Sequence, residues 1–287
     1  MKNLKYSLVI PVYNEEKAIG SVLEEIFSSF YKETLEVIVV DDGSTDKTAE
    51  MARKYPVRLV QNIKNSGYGY SLKQGIKIAS HPNIIITDGD GSYPISGIVA
   101  LFDEYEKGYD MVVGARRGKH YKGSFLKSVS RFFFRSISEF ATGQRIPDIN
   151  SGCRIFRKDI VERFFNTLSS GFSFTTTITL AFMLNTYSVQ YVTIDYHKRS
   201  GSSKVRYIRD ILRSLQLIVE AIVFYNPLKM YLICVVSAVF IAIMTLILFF
   251  ISFPLAILFF FTAMICDVIF SIGLAVIFLK FMHNDPA

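Results

Sequence analysis

Short runs of apolar, β-branched residues alternate with amphipathic segments along the first part of the chain. The run at 84–87 places three isoleucines in a row, as in a strand that is buried on both faces of a parallel sheet. Between such runs, apolar residues recur at helical spacing. This alternation predicts an α/β fold with a mostly parallel, Rossmann-like sheet. The predicted strands are 6–13, 35–40, 57–60, 84–87 and 110–117.

Acidic residues follow several of these strands at the point where each strand ends. Ligands of open α/β sheets bind beyond the carboxyl ends of the strands, so we expect these acids to share one cleft. Two converging carboxylates suit Mg²⁺, and Gly89 between them would let a ligand approach the backbone. The alternative, a solvated Asp-Gly-Asp turn, is disfavoured because the acids gather at strand ends. The acids concerned are Glu15, Asp41, Asp42, Asp88 and Asp90.

The glycine pattern excludes a dinucleotide-dependent oxidoreductase. In that class G-x-G-x-x-G follows the first strand. Here the first strand runs into Tyr-Asn-Glu-Glu at 13–16, with no glycine until Gly20. The pair Gly67 and Gly69 lies after the third strand and lacks the third glycine.

The character of the chain changes near residue 230, where charged residues almost disappear. Two apolar runs, 230–251 and 255–279, are each long enough for a hydrocarbon core of ~30 Å at ~1.5 Å per residue. The short turn between them predicts a membrane hairpin, and a buried core hairpin is the less favoured alternative. Lys229 and Lys280 flank the hairpin, which predicts that both termini lie on the cytoplasmic face of the membrane. Asp267 is costly in lipid, so a functional or assembly role is expected for it.

The net charge of +7 is concentrated beside the predicted anchor. Basic amphipathic segments at about 122–140 and 205–224 suit a membrane interface, and ordinary helices that face a core are the alternative. Nucleic-acid binding is disfavoured because these basic residues do not form an aromatic-laced groove. The three cysteines form no C-x-x-C pair, which disfavours disulfides and a zinc site.

These features predict three parts along the chain. The first is a catalytic domain at 1–203 that includes the first interfacial helix. The second is an amphipathic juxtamembrane helix at 204–228, and the third is the hairpin with a short tail at 229–287. A homo-oligomer remains an open alternative.

Three motifs occur in order: Val-Ile-Pro-Val-Tyr-Asn-Glu-Glu at 9–16, Asp-Asp-Gly-Ser-Thr-Asp at 41–46 and Asp-Gly-Asp at 88–90. Together they resemble the family 2 glycosyltransferases, which have the GT-A fold. The resemblance implies a nucleotide-sugar donor, and it implies that Asp88 and Asp90 hold Mg²⁺ or Mn²⁺ with the donor pyrophosphate. It further implies a nucleoside site formed by Pro11, Tyr13, Glu15 and Asp42.

Two later motifs, Asp-Ile-Asn-Ser-Gly-Cys-Arg at 148–154 and Arg-Ser-Gly-Ser-Ser-Lys at 199–204, narrow the resemblance. They are similar to the polyprenyl-phosphate branch, which includes dolichyl-phosphate mannose synthases and undecaprenyl-phosphate sugar transferases. That branch usually has Phe where this chain has Cys153, and Gln where it has Ser92. The resemblance implies a polyprenyl phosphate in the membrane as the acceptor.

The expected reaction is an inverting transfer of the sugar to that phosphate. A phosphate monoester with a second pKa of about 6 is largely a dianion at neutral pH and can attack the anomeric carbon without a strong base. We expect Arg199 and Lys204 to close over the diphosphate, and Asp148 to orient the acceptor or, less favoured, to act as a base. The acceptor phosphate is assigned to Arg116, Arg131, Ser151 and Arg154. The expected catalytic residues are Asp90, Asp148 and Arg131.

Three other functions remain open at this point. A processive polysaccharide synthase usually carries Gln-x-x-Arg-Trp and more spans, whereas this chain has no tryptophan and two predicted spans. A membrane-anchored glycosyltransferase with a different acceptor would keep its activity when the lipid acceptor is changed. A non-catalytic nucleotide-sugar-binding scaffold would bind donor without turnover.

Overall fold

The computed structural model describes residues 5–29, 35–118, 125–199 and 207–284. The chain divides into two compact units, Met1–Leu215 and Gln216–Ala287. The first unit holds the sheet, and the second holds two long apolar helices. We describe each unit by itself.

Seven strands of the first unit form one sheet in the order β3-β2-β1-β4-β6-β5-β7. β6 runs antiparallel to β4 and β5, and the other neighbouring strands are parallel. The predicted α/β fold with a mostly parallel sheet is therefore confirmed, although β6 and β7 were not predicted. The strands are β1 (Tyr6–Val12), β2 (Leu35–Asp41), β3 (Arg58–Gln61), β4 (Asn83–Ile86), β5 (Met111–Arg117), β6 (Arg154–Arg157) and β7 (Val189–Asp195).

Ten helices lie in the described residues. The helices are α1 (Ile19–Ser29), α2 (Thr48–Ala52), α3 (Tyr68–Ile78), α4 (Ile95–Tyr105), α5 (Phe125–Thr142), α6 (Lys158–Arg163), α7 (Phe174–Leu184), α8 (Tyr207–Tyr225), α9 (Pro227–Ile251) and α10 (Phe253–Asn284). α8 crosses the boundary between the two units, and α9 and α10 belong to the second.

The sheet is buried on both faces, and successive residues of a strand enter opposite cores. In β1, Leu8 and Ile10 pack in the core that includes residues of α1 and α4. Val9 between them packs in the other core, with residues of α3 and α7. All three side chains are fully buried. Helices on both sides therefore leave the carboxyl ends of the strands as the open edge of the sheet.

Helix α5 corresponds to the first predicted amphipathic helix, whose residues 122–124 lie outside the described part. Phe134 and Ala141 are buried, and α5 contacts α7. Phe132, Phe133 and Phe140 are exposed by 63%, 53% and 44%. α5 thus faces the core along one side and presents phenylalanines to the exterior along another.

In the second unit, α9 and α10 run as a hairpin with Ser252 between them. Both are long and apolar enough to cross a membrane, over Pro227–Ile251 and Phe253–Val276. The hydroxyl of Ser237 in α9 lies 3.0 Å from Oδ1 of Asp267 in α10. The structure thus gives Asp267 a neutral hydrogen-bonding partner within the hairpin.

Candidate active site

A cleft of about 290 Å³ opens at the carboxyl ends of β1, β2 and β4. Residues far apart in the sequence meet there because the ends of neighbouring parallel strands lie at one edge of the sheet. The cleft brings together the predicted site residues Pro11, Tyr13, Glu15, Asp42, Asp88, Asp90, Arg116 and Arg199. The cleft is also lined by residues to which the sequence assigned no role, among them Tyr68, Asn150, Gly152, Phe172 and Thr175.

The loops after β1 and β2 are joined to each other by side chains. Oδ1 of Asn14 accepts a hydrogen bond of 2.8 Å from the backbone N–H of Thr45. The backbone N–H of Glu15 donates to Oγ1 of Thr48, also at 2.8 Å. Asn14 has φ +52°, in the left-handed region that asparagine tolerates better than most residues. The side chains of Asn14 and Thr48 therefore hold the two loops together, while Glu15 lines the cleft.

Asp42 organises the loop that follows β3. Its Oδ1 accepts hydrogen bonds from Nδ2 of Asn62 and the backbone N–H of Ser66, at 2.8 and 2.9 Å. Its Oδ2 accepts from the backbone N–H of Gly67 at 2.8 Å. Gly67 has φ +109°, a conformation that favours glycine. Asp42 thus lines the cleft and also sets the shape of one wall.

Asp88 and Asp90 both line the cleft, in the turn that follows β4. The backbone N–H of Ser92 donates to Oδ1 of Asp90 at 2.9 Å, which fixes that carboxylate. Burial and the negative charge of Asp90 raise the pKa of Asp88 to about 6. A Cβ on Gly89 would lie 2.5 Å from Cγ1 of Val12, so packing against β1 also requires glycine there.

Tyr68 and Gly152 hold Asp88 from two sides. The hydroxyl of Tyr68 donates to Oδ1 of Asp88 at 2.9 Å. A Cβ on Gly152 would lie 2.7 Å from the same oxygen, so Asp88 packs directly on the glycine backbone. The N–H of Gly152 donates in turn to the hydroxyl of buried Tyr93. The sequence offered one signal for Tyr68, its place between two glycines at the start of a helix after a strand.

Arg199 reaches the acids from the segment that follows β7. Its Nη2 lies 3.2 Å from Oδ2 of Asp90 and 3.7 Å from Oε1 of Glu15. The backbone N–H of His197 donates to the carbonyl of Ser92 at 2.9 Å, which holds this segment over the Asp88–Asp90 turn. Lys204, the other predicted residue of this loop, lies outside the described residues.

A second cavity of about 240 Å³ adjoins the loop at 147–150. Arg116 at the cleft makes a bidentate ion pair with Asp148 at this cavity, with Nε–Oδ2 2.7 Å and Nη2–Oδ1 2.9 Å. Both side chains are largely buried. This pair and Asn150 lie between the two spaces. The cavity is lined by Ser128, Arg131, Phe132, Arg135, Pro147, Asp148, Ile149 and Asn150.

The structure does not place Ser151 and Arg154 at either cavity, which corrects their assignment to the acceptor phosphate. Both side chains are fully buried. The guanidinium of Arg154 donates to the carbonyls of Ser151 and Ile149 at 2.8 Å, and to Oγ1 of Thr179 at 2.7 Å. Burial lowers the pKa of Arg154. Arg154 therefore holds the 149–151 loop in place from inside the protein.

The donor set fits a hard divalent cation. Asp88 and Asp90 supply carboxylate oxygens in the same cleft, and the charge of Asp90 raises the pKa of Asp88, so a bound cation would stabilise both carboxylates. Within the described residues, no group of three or more His, Cys, Asp or Glu forms a ready cluster. Mg²⁺ and similar ions are held in this way, by one or two carboxylates with phosphate oxygens and water.

The family model for glycosyl transferase family 2 matches residues 7–165, which cover β1 to β6 and the acids described above. This chain belongs to glycosyltransferase family 2. It is 31% identical over 200 residues to a dolichyl-phosphate hexose transferase of Haloferax volcanii, covering 69% of this chain and 86% of the relative.

Two further relatives match this chain over only part of their own length. An undecaprenyl-phosphate 4-deoxy-4-formamido-L-arabinose transferase of Photorhabdus laumondii is 34% identical over 55% of this chain and 50% of its own length. A dolichol-phosphate mannosyltransferase of Pyrococcus furiosus is 31% identical over 55% of this chain and 48% of its own. The matched region thus spans about half of these two proteins.

Solved structures confirm the predicted GT-A fold. Glucosyl-3-phosphoglycerate synthase from Mycobacterium tuberculosis, in complex with phosphoglyceric acid, superposes with a TM-score of 0.60 at 18% identity. The match covers 77% of this chain and 80% of that one. A structure of the same enzyme with Mn²⁺, UDP and phosphoglyceric acid gives a TM-score of 0.58 at 19% identity, over 77% and 78%.

Proposed function

We propose that this glycosyltransferase transfers a sugar from a nucleotide diphosphate to the phosphate of a membrane polyprenyl phosphate, with inversion at the anomeric carbon. The observation that carries the proposal is the pairing of two adjacent spaces. One space holds the carboxylates of Asp88 and Asp90, and the other is lined by Arg131 and Arg135. A donor diphosphate with its cation suits the first, and an acceptor phosphate suits the second.

The names of the relatives support this acceptor class. Three of them, from two archaea and a bacterium, are named as transferases that use dolichyl, dolichol or undecaprenyl phosphate. The Haloferax volcanii protein matches over most of its length. The two apolar helices α9 and α10 would keep the chain at the membrane where such a lipid resides.

Asp88 and Asp90 would hold Mg²⁺ or Mn²⁺, which would supply positive charge to the leaving diphosphate. Tyr68 keeps Asp88 oriented, and Ser92 keeps Asp90 oriented. Arg199, whose Nη2 lies 3.2 Å from Oδ2 of Asp90, would contact the same diphosphate. We propose that Lys204 assists from the same loop. These residues bind the donor, and Glu15 and Asp42 line the remainder of its cleft.

The attacking group is an oxygen of the acceptor phosphate. It forms the bond to the anomeric carbon, the bond from that carbon to the donor diphosphate breaks, and the nucleoside diphosphate leaves with the electron pair. No proton has to move if the phosphate is a dianion. Asp148 is occupied by Arg116, so we propose that it orients the acceptor side of the site and does not act as a base. Catalysis then consists of positioning and charge stabilisation.

The acceptor side would lie at the bilayer surface. Arg131 and Arg135 would bind the phosphate, while the exposed Phe132 and Phe133 enter the interface. We further propose that the spans are oriented with both termini in the cytoplasm, as the flanking lysines indicate. In this arrangement the domain at 1–203, the helix at 204–228 and the hairpin at 229–287 keep the roles predicted from the sequence.

A donor panel tests the proposal. The full-length protein in detergent is incubated with labelled UDP-glucose, UDP-N-acetylglucosamine or GDP-mannose, each with undecaprenyl phosphate or citronellyl phosphate, and the lipid products are separated by thin-layer chromatography. We expect a new polyprenyl-phosphate sugar from at least one donor. Transfer that is unaffected by omission of every polyprenyl phosphate would contradict the proposed acceptor. Binding of donors without turnover would support a scaffold instead.

A further inference from the structure

Asn150 is the side chain that lines both the donor cleft and the second cavity. We propose that its amide orients the acceptor phosphate where the two spaces adjoin, and that Thr176 positions this amide. The inference rests on the proposed function, because it takes the second cavity as the acceptor's place. Asn150 lies within the 148–154 motif, but the sequence assigned no role to its side chain.

The backbone of Asn150 is fixed by its neighbour in the loop. Its N–H donates to Oδ1 of Asp148 at 3.2 Å, and Asp148 is itself held by Arg116. The loop is also anchored from within, because Arg154 donates to the carbonyl of Ile149. Asn150 therefore stands next to the ion pair that separates the cleft from the cavity, on a backbone that is tied from two directions.

The side chain of Asn150 is fixed separately. Oγ1 of Thr176 donates to its Oδ1 at 2.9 Å. Thr176 lies in the first turn of α7 and is 2% exposed, so its hydroxyl has little freedom to turn elsewhere. This hydrogen bond determines which end of the amide is the acceptor. Within the part of the chain that the structure describes, Nδ2 of Asn150 makes no hydrogen bond, so its two donors are available to a ligand.

A neutral donor suits the chemistry where the two spaces adjoin. Arg131 and Arg135 can bind a phosphate strongly in the cavity, but one phosphate oxygen must turn toward the anomeric carbon in the cleft. The carboxylate of Asp148 would repel that oxygen, and its pairing with Arg116 reduces the repulsion. An amide N–H can hold this attacking oxygen in the required direction. Because the amide is neutral, it adds no positive charge that would bind the phosphate dianion more tightly.

The alternative is that Asn150 has only a structural role in the loop. Its backbone bond to Asp148 is the pattern of an Asx turn, and it would exist whatever the side chain of residue 150 does. The bond from Thr176 is not part of that turn, because it comes from a helix 26 residues further along. This hydrogen bond satisfies the buried hydroxyl of Thr176, and because it takes up Oδ1 of Asn150 it also directs Nδ2 away from Thr176.

Four variants of the full-length protein test the inference, assayed with citronellyl phosphate and the donor that the wild type uses. In Thr176→Val the hydroxyl is replaced at similar volume, and Thr176→Ser retains it as the matched control. Asn150→Ala removes the amide, and Asn150→Asp replaces it with a charge of the same shape. Each protein is first checked for an unchanged circular dichroism spectrum and melting temperature. Donor binding is measured by calorimetry with Mn²⁺ and without acceptor.

Because one hydrogen bond is worth about 1 kcal/mol, we expect Thr176→Val to lower kcat/KM for citronellyl phosphate by about fivefold. Asn150→Ala should lower it at least as much, and Asn150→Asp more than either. Thr176→Ser should stay within about twofold of the wild type. Donor affinity should be unchanged in all four.

Equal acceptor kinetics for Asn150→Ala and the wild type would overturn the inference, as would an equal loss in Thr176→Ser and Thr176→Val. A loss of donor affinity that accounts for the whole effect would also overturn it. If Thr176→Val does not fold, the two Asn150 variants decide the question alone. Failure of the wild type to use any polyprenyl phosphate would instead be a failure of the proposed function.

Discussion

The hydroxyl of Tyr68 donates a hydrogen bond of 2.9 Å to Oδ1 of Asp88, from the first residue of helix α3 to the turn after β4. We expect Tyr68→Phe to weaken Mn²⁺ binding about tenfold, because a hydrogen bond to a charged group is worth roughly 1.5 kcal/mol. Without this donor the carboxyl also holds its proton more tightly. Electron paramagnetic resonance of free Mn²⁺ measures the affinity. Tyr70→Phe, at an exposed position of the same helix, is the matched control and should bind as the wild type does.

Binding of the divalent cation should depend on pH through Asp88. Burial and the charge of Asp90 raise the pKa of Asp88 to about 6. Below that pH the group is increasingly protonated and neutral, so a proton competes with the cation, and above it the carboxylate is available. We therefore expect Mn²⁺ affinity to be nearly constant above about pH 7 and to fall steadily as the pH drops below about 6. A profile that stays flat down to the ordinary pKa of an aspartate, about 4, would show that Asp88 is not a ligand.

The ion pair between Arg116 and Asp148 should contribute to stability as well as to the site. Both partners are largely buried, so Asp148→Asn would leave a guanidinium without its counter-charge and cost about 3 kcal/mol in the free energy of unfolding. The pair Arg117–Asp195 has the same chemistry at an exposed position, with side chains exposed by 63% and 61%. Asp195→Asn should therefore leave the melting temperature almost unchanged. Equal melting temperatures for the two variants in differential scanning calorimetry would refute this view of Asp148.

The contact between Ser237 and Asp267 predicts how the hairpin responds to mutation. Hydrogen bonds between membrane helices are worth about 0.6–1.7 kcal/mol, so Ser237→Ala should destabilise the helix pair by about 1 kcal/mol. Asp267→Asn should be tolerated, since an amide can still bond to the serine. Pyrene labels on Cys234 and Cys266 would report helix separation by loss of excimer emission during SDS titration. Ser271→Ala, at an exposed position of α10, serves as the control. Equal destabilisation of the hairpin by Ser271→Ala and Ser237→Ala would contradict a stabilising role of the Ser237–Asp267 hydrogen bond.

The half of the site that follows β1, β2 and β4 could be predicted from the sequence. Each of these strands is largely apolar, and acids occur at its end or within three residues after it, so strand ends and candidate ligands were visible together. Glu15, Asp42 and Asp88 are found in one cleft for this reason. Because ligands bind beyond the carboxyl ends of parallel strands, acids that are distant in the sequence could be assigned to one site.

The opposite wall of the cleft could not be predicted in the same way. It comes from segments that pack on the sheet from later in the chain, and their patterns are weak. β6 is four residues long and begins with Arg154, so it lacks the apolar signature of a buried strand. Helix α7 starts Phe-Thr-Thr-Thr, and two of its buried threonines make hydrogen bonds to this wall, Thr176 to Asn150 and Thr179 to Arg154.

Arg154 shows where sequence patterns mislead. Arg154 was assigned to the acceptor phosphate because a guanidinium group matches phosphate in bidentate fashion. In the structure its donors are taken up by two carbonyls and a threonine hydroxyl, and no part of the side chain is exposed. Burial depends on which segments cover a residue, and a short motif does not contain that information.

We propose that Asp88 and Asp90 hold a divalent cation that is required to transfer a sugar to a polyprenyl phosphate. The most direct measurement is the formation of labelled polyprenyl-phosphate sugar by the full-length protein with Mg²⁺ or Mn²⁺, with EDTA, and in Asp90→Ala. We expect product with either ion, none with EDTA and none in Asp90→Ala, while Asp103→Ala at an exposed position of α4 remains active. Undiminished transfer by a folded Asp90→Ala protein, or in EDTA, would contradict the account.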